Sequence, residues 1–194
     1  MAIVLASASP RRKELLEMLG IKDLLIIPAK GEEHAPENVA PEEIVKTLSM
    51  AKAREVAAIR PRDDIIIAAD TIVWFENKLY GKPKTTGEAE KMLTALSGKK
   101  HEVYTGVTII KDEAVLSETE VSEVFFRDIS DEEIKAYVKT GEPMDKAGAY
   151  GAQGKGSLFV KKINGDFFNV MGLPLCRLGL MLMKQGVDIF EGIS

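Results

Sequence analysis

Ile65-Ile66-Ile67-Ala68-Ala69-Asp70-Thr71 is the stretch from which the fold class is read. Five apolar residues in an unbroken row describe a strand covered on both faces, as inside an α/β sheet. The run ends at Asp70-Thr71, then continues as Ile72 to Phe75 into a turn around Glu76-Asn77-Lys78. Working outward toward the amino terminus, Ile3 to Ala6 is a short buried strand, and Arg12 to Leu19 repeats apolar residues at helical spacing. Ser9 suits an N-cap, Pro10 the first helical position, and Gly20 the close of the helix. Leu24 to Ile27 reads as a second strand, and Pro41 opens a long helix to about Ile59.

Toward the carboxyl terminus, Thr85 and Glu88 spell a capping box for a helix through Leu96, closed by Gly98. Val103, Thr105, Val107 and Ile109 alternate as in a half-buried strand, with Val115 to Phe126 as its antiparallel partner. Ser130 and Glu133 form a second capping box, for a helix ending near Thr140. A glycine-rich loop runs from Gly148 to Gly156. Ser157 to Ile163 and Asp166 to Val170 are expected to pair across Asn164-Gly165, a hairpin signal. Pro174 starts the last helix, which ends at Gly186. No repeat, linker or low-complexity tract interrupts the chain. Strands alternating with helices predict a mixed α/β sheet in a single domain over residues 1–194.

The 194 residues suffice for one real core, or a core with a small lobe. Hydrophobic content of 45% and charged content of 29% are those of a globular protein. A net charge of −4 argues against general nucleic-acid binding, so basic residues gathered at one place point to a small anionic ligand. Cys176 is alone, which excludes a disulfide framework and implies a reducing compartment. No segment has the roughly 18 apolar residues of a membrane helix. With a strand-like start and no leader pattern, a cytoplasmic location is expected.

Several residues carry chemistry. Arg11 and Arg12 lie in a first helical turn, where the macrodipole is already positive and an acid is expected. Either an anion sits there, held by backbone N–H groups, a serine hydroxyl and guanidinium forks, or the two are solvated surface arginines. Asp70 follows the central apolar run and is placed at its carboxyl end, where α/β sheets bind ligands. A carboxylate there can hold Mg²⁺ or accept a proton from water; the competing reading is a turn aspartate capping its own backbone. Lys52 breaks the apolar row Ile44, Leu48, Val56, so it either snorkels to the helix edge or aims at an interior anionic site. Lys82 is held on an extended backbone by Pro83, and a solvated loop lysine is the alternative. Glu32-Glu33 offers a second metal-binding carboxylate or only a solvated acid pair.

Gly148, Gly151, Gly154 and Gly156 suggest either a loop whose backbone approaches a ligand, where Tyr150 and Gln153 between them could read a base edge, or a flexible turn with no ligand. The loop fits neither a Walker A nor a dinucleotide-binding register. His34 and His101 lack partners at zinc-ligand spacing, so any metal is expected to be Mg²⁺ or Mn²⁺ on oxygen ligands. Nothing suggests a Ser-His-Asp or Cys-His nucleophile. Cations, carboxylates and a glycine loop without a nucleophile suit attack of metal-activated water on a phosphoanhydride.

From about Ile3 to Leu182 the chain resembles the Maf family of nucleoside triphosphate pyrophosphatases. The resemblance is carried by Leu5-Ala6-Ser7-Ala8-Ser9-Pro10-Arg11-Arg12, Glu32-Glu33, Lys52-Ala53, Ala69-Asp70-Thr71-Ile72-Val73 and Gly81-Lys82-Pro83. Gly141-Glu142-Pro143-Met144-Asp145-Lys146-Ala147-Gly148-Ala149-Tyr150-Gly151-Ala152-Gln153-Gly154 and Val170-Met171-Gly172-Leu173-Pro174-Leu175 complete it. It implies a mixed twisted sheet flanked by helices, in two lobes with a cleft, like that of inosine triphosphate pyrophosphatases. It also implies hydrolysis of a nucleoside triphosphate to the monophosphate and pyrophosphate with a divalent metal. Transferred to these positions, Asp70 is the general base, Ser7, Arg12, Lys52 and Lys82 hold the triphosphate, and Glu33 with Asp70 binds metal. Arg11, Thr71 and Gln153 match the specificity residues of the dTTP- and UTP-directed branch. Relatives suggest a homodimer. The alternatives are a pyrophosphatase of different base preference, and a nucleotide-binding regulator of cell division or septum formation.

Overall fold

Short aliphatic runs at Ile3–Leu5 (β1) and Leu24–Ile26 (β2) flank the amino-terminal helix Pro10–Met18 (α1), and the long run Ile65–Phe75 (β3) follows helix Pro41–Ala57 (α2). A computed structural model describes residues 1–21, 23–31, 34–187 and 189–190. After β3 come Lys78–Tyr80 (β4), Thr86–Leu96 (α3), Lys100–Lys111 (β5) and Ala114–Phe126 (β6). Asp131–Val138 (α4), Val160–Asn164 (β7), Phe167–Met171 (α5) and Leu175–Lys184 (α6) complete the order. Among the described residues the strands form a seven-stranded sheet in the order β2-β1-β3-β5-β6-β7, with β4 paired to β3. β1 is parallel to β2 and β3, with Leu5 opposite Ile26 and Ile67; β4 runs antiparallel to β3, and β7 antiparallel to β6. The mixed α/β sheet expected from the sequence is present.

The chain forms two compact units. The first comprises Met1–Asp70, Thr105–Glu120 and Gly172–Ser194, the second Thr71–Tyr104 and Val121–Met171. In the first unit Val4, Ala6, Ala53, Val56, Ile66 and Ala68 share a core, so the carboxyl-terminal half of α2 packs onto β1 and β3. Gly106 of β5 lies so close to α2 that a Cβ there would run into the Val45 carbonyl. Beside it the buried Thr108 hydroxyl bonds to Ser49 at 2.9 Å and Ser117 at 3.0 Å.

Five details differ from the sequence reading. β3 is one unbroken strand of 11 residues, so Asp70 stands within it rather than at its carboxyl end. What does end near that level is β1, whose register with β3 stops at Leu5 and Ile67. β5 is buried continuously from Val103 to Ile110 rather than on alternate residues, because Thr108 finds internal partners and Gly106 admits a helix backbone. Residues 166–170 do not form the second arm of a hairpin: β7 pairs with β6, and the Asp166 carboxylate accepts the Phe168 N–H at 2.7 Å, turning the chain into α5. Thr85 accepts from the Glu88 N–H at 3.1 Å, but the Glu88 carboxylate turns to the Lys84 N–H, so only half of that capping box forms. Ser9 holds the N-cap position of α1, with Pro10 after it, yet its side chain makes no cap hydrogen bond. The Ser130–Glu133 box is complete.

The second unit's core gathers Val73, Phe75, Leu93, Val103, Phe126 and Phe159. His101 lies among them at 2% exposure, edge-on to Phe126 with ring centroids 4.8 Å apart. Its Nε2 is 2.9 Å from the Tyr150 hydroxyl, and its Nδ1 has no hydrogen-bond partner among the described residues. Burial pushes the imidazole pKa down to about 3, against roughly 6.5 in an unfolded chain. Below about pH 6.5 the unfolded chain therefore binds a proton that the folded chain refuses, costing about 1.4 kcal/mol of stability per pH unit for this group. Thermal unfolding of His101→Gln from about pH 6.5 to about pH 4.5 is expected to show a shallower loss of stability than the unaltered chain. Equal slopes would refute this assignment.

Candidate active site

The first unit brings together four of the predicted residues as two pairs. On α2, Ile44, Leu48 and Val56 face the core, and Lys52 shares their row. Its ammonium reaches Asp70 Oδ1 at 2.5 Å, with the two side chains 14% and 10% exposed. Lys52 is thus aimed inward rather than snorkelling. Asp70 caps no backbone of its own. Among the described residues no hydrogen bond falls on Oδ2, so half of the carboxylate remains to accept from a ligand, an ion or water.

Ser7 and Arg12 form the other pair. The Arg12 Nε donates to the Gly172 carbonyl at 2.8 Å, and its Nη1 donates to the Ser7 hydroxyl at 3.2 Å. The Ser9 N–H also donates to that hydroxyl, at 3.2 Å. Ser7 therefore does the local bonding that Ser9 does not, and the guanidinium is fixed in orientation while α1 has no acid in its first turn. Because β1 and β3 run parallel in register to Leu5 and Ile67, residues just past Leu5 follow the same direction as those leading to Asp70. Arg11 is half-buried in the same helical turn as Arg12.

The second unit holds Thr71, Lys82 and Gln153. Thr71 is half-buried in β3, while Lys82 and Gln153 are exposed. The segments carrying the last two are tied together, since the Gly148 N–H donates to the Gly81 carbonyl at 3.1 Å. The glycine loop is drawn onto Glu142. Its carboxylate accepts the Lys155 and Gly156 N–H groups at 3.0 and 3.2 Å and the Tyr137 hydroxyl at 2.9 Å. Burial raises the Glu142 pKa, but these donors and Lys146 outweigh it and hold the group below the ordinary carboxylate range.

Relatives with known names match nearly the whole chain. The family model described as Maf-like protein matches residues 2–185. A dTTP/UTP pyrophosphatase of Methanosarcina barkeri is 50% identical over 195 residues, covering 99% of this chain and 98% of that protein. One from Bacillus cereus is 48% identical over 187 residues, covering 96% and 97%. The chain belongs to the Maf family. Among solved structures, a HAM1 protein from Coxiella burnetii aligns with TM-score 0.49 at 20% identity, over 95% of this chain and 99% of that one.

As a member of the Maf family, the chain places two further residues next to the predicted ones that motif reading left without a role. Gly172 supplies the carbonyl that orients Arg12, and Glu142 organises the loop carrying Gln153. Gly172 sits in the Val170–Leu175 motif and Glu142 is the second residue of the longest one, but nothing in a linear motif says which atom meets which. Glu33 and Glu32 lie outside the described residues. The oxygen of Asp70 that Lys52 leaves uncovered is a hard donor, the type that suits Mg²⁺ or Mn²⁺. Among the described residues no group of three or more His, Cys, Asp or Glu side chains converges, and no helix is long and apolar enough to cross a membrane.

Proposed function

We propose that this protein hydrolyses nucleoside triphosphates, dTTP and UTP foremost, to the monophosphate and pyrophosphate. The observation that carries the reading is the Lys52–Asp70 pair: a largely buried carboxylate with one oxygen held by an ammonium and the other open. The names of the relatives support the substrate class. In this reading water adds to phosphorus, the α–β anhydride bond breaks, pyrophosphate leaves, and the nucleoside monophosphate keeps the new oxygen. Asp70 accepts the proton of the attacking water through its open oxygen. Lys52, besides orienting Asp70, neutralises triphosphate charge, as Arg12 and Lys82 do, and the Ser7 hydroxyl donates to a phosphate oxygen. Arg12 reaches the anion with its orientation already set by Gly172 and Ser7, so little order is lost on binding.

A divalent ion, Mg²⁺ or Mn²⁺, held by Asp70 and Glu33, supplies further charge neutralisation at the phosphates. Arg11, Thr71 and Gln153 select the base. The protein acts as one domain, in the cytoplasm, as a homodimer, with the nucleotide rather than nucleic acid as its partner. Purified protein with Mg²⁺ and a panel of triphosphates tests this. UTP and dTTP are expected to release pyrophosphate and monophosphate in equal amounts and faster than the other nucleotides. Release of orthophosphate alone, or no turnover of any triphosphate, overturns it.

A further inference from the structure

The glycine loop of the second unit is built on a carboxylate to which no catalytic role attaches. Glu142 Oε2 accepts the Lys155 N–H at 3.0 Å, and Oε1 accepts the Gly156 N–H at 3.2 Å and the Tyr137 hydroxyl at 2.9 Å. The Tyr137 oxygen in turn accepts the Gly151 N–H at 3.1 Å. Both ends of the Gly151–Gly156 segment are therefore bound to one Tyr137–Glu142 unit, and the Gly154 N–H closes onto the Gly151 carbonyl at 3.2 Å between them. At the segment's outer part stands Gln153, exposed, its amide without a partner among the described residues. The fit is close: a Cβ at Gly154 would strike the Glu142 carboxylate, and one at Gly156 would lie 2.7 Å from the Tyr137 hydroxyl. Lys146 adds a bond from its ammonium to the Glu142 carbonyl at 2.7 Å, fixing the acid's own backbone.

A carboxylate is required there. Three donors converge on two oxygens, and an ionised acid accepts at both while an amide accepts at one. We propose that Glu142 is a positioning residue for base selection: it sets the conformation of the Gly151–Gly156 segment and so the place at which Gln153 presents its amide. The inference rests on the reading of Gln153 as a base-selecting residue. Glu142 touches no nucleotide; it acts through the loop.

Glu142→Gln keeps size and shape but turns an NH₂ group against an N–H or O–H donor. For UTP, KM is expected to rise about tenfold, with kcat changed less than about threefold. The UTP-to-CTP ratio of kcat/KM should fall in the direction that Gln153→Ala moves it. A merely structural role for Glu142 lowers the melting temperature and the active fraction for all nucleotides alike, leaving KM and the ratio in place. Calorimetry with UMP gives the same comparison without turnover. If Gln153→Ala shifts the ratio and Glu142→Gln does not, the positioning role is overturned. If Gln153→Ala leaves the ratio unchanged, the base-selecting reading itself falls, and this inference with it. Should Glu142→Gln fail to fold, Tyr137→Phe decides: removing the hydroxyl frees the Gly151 N–H and must move KM and ratio the same way, and unchanged values overturn the inference.

Discussion

Asp70→Asn is expected to lower kcat for UTP about 10³-fold while nucleotide binding is retained, the range lost when a positioned base no longer takes a proton. The substitution keeps the shape of the side chain and offers the divalent ion a neutral oxygen in place of a charged one, so the assay is run at saturating Mg²⁺. An asparagine oxygen still accepts from the Lys52 ammonium, so the stability lost stays below the roughly 3–5 kcal/mol of a broken buried ion pair. Removing a negative charge near the triphosphate leaves KM equal or lower, so the loss appears in kcat. Pyrophosphate release at saturating UTP, together with calorimetric binding of the nucleotide, measures both sides. A mutant turning over within a few-fold of the unaltered enzyme removes Asp70 from the mechanism. Loss of binding in step with rate makes it a structural residue instead.

Gly106→Val is expected to have the largest effect on the fold. The β5 backbone at this position points a Cβ at α2, into the Val45 carbonyl and 2.9 Å from the Lys46 nitrogen. Backbone cannot swing aside as a side-chain tip can, so the helix must withdraw from the sheet. Overpacking of this kind costs about 3 kcal/mol, or a fall of about 6–12 °C in melting temperature for a chain of this size. The cost extends to chemistry, because α2 also carries Lys52, two turns beyond Val45. UTP hydrolysis should fall with stability even though Gly106 touches no substrate. Gly87→Ala is the matching control. In the first turn of α3 nothing lies within 4 Å of a new Cβ, so that change should be neutral or slightly stabilising. A melting temperature for Gly106→Val within a degree or two of the unaltered protein refutes the close approach.

The elements that depend on neighbours in sequence were legible in the chain. The apolar run at Ile65, the Pro41 helix, the Ser130–Glu133 box and the turn at Glu76-Asn77 all formed as expected, since each rests on local propensity and short-range bonds. The failures share a cause. Asn164-Gly165 carries a hairpin signal, yet Asp166 caps a helix and β7 pairs with β6, a choice made by a strand some 40 residues earlier. Glu88 matched a capping box, but its carboxylate accepts the Lys84 N–H instead. Alternating polarity in β5 implied one wet face, yet both faces are dry, with Thr108 bonded internally and Gly106 under a helix backbone.

The candidate site divides along the same line. Residue types single out Arg12, Lys52 and Asp70, because an anion site needs cations and a proton acceptor, while Ser7 enters only through the resemblance to the Maf family. Which way each points was open. Lys52 had a snorkelling alternative until a carboxylate 18 positions away met it, and Arg12 had a solvated alternative until the Gly172 carbonyl, 160 positions away, fixed its plane. Glu142 could not be assigned at all from the chain, since its role lies in accepting N–H groups from a loop that returns to it. Sequence by itself determined most of the strands and helices and the chemical kinds of group on offer to a ligand, because those follow from local pattern and composition. The tertiary structure alone decided orientation and pairing, because a buried charge or donor is stable only where the fold brings its partner.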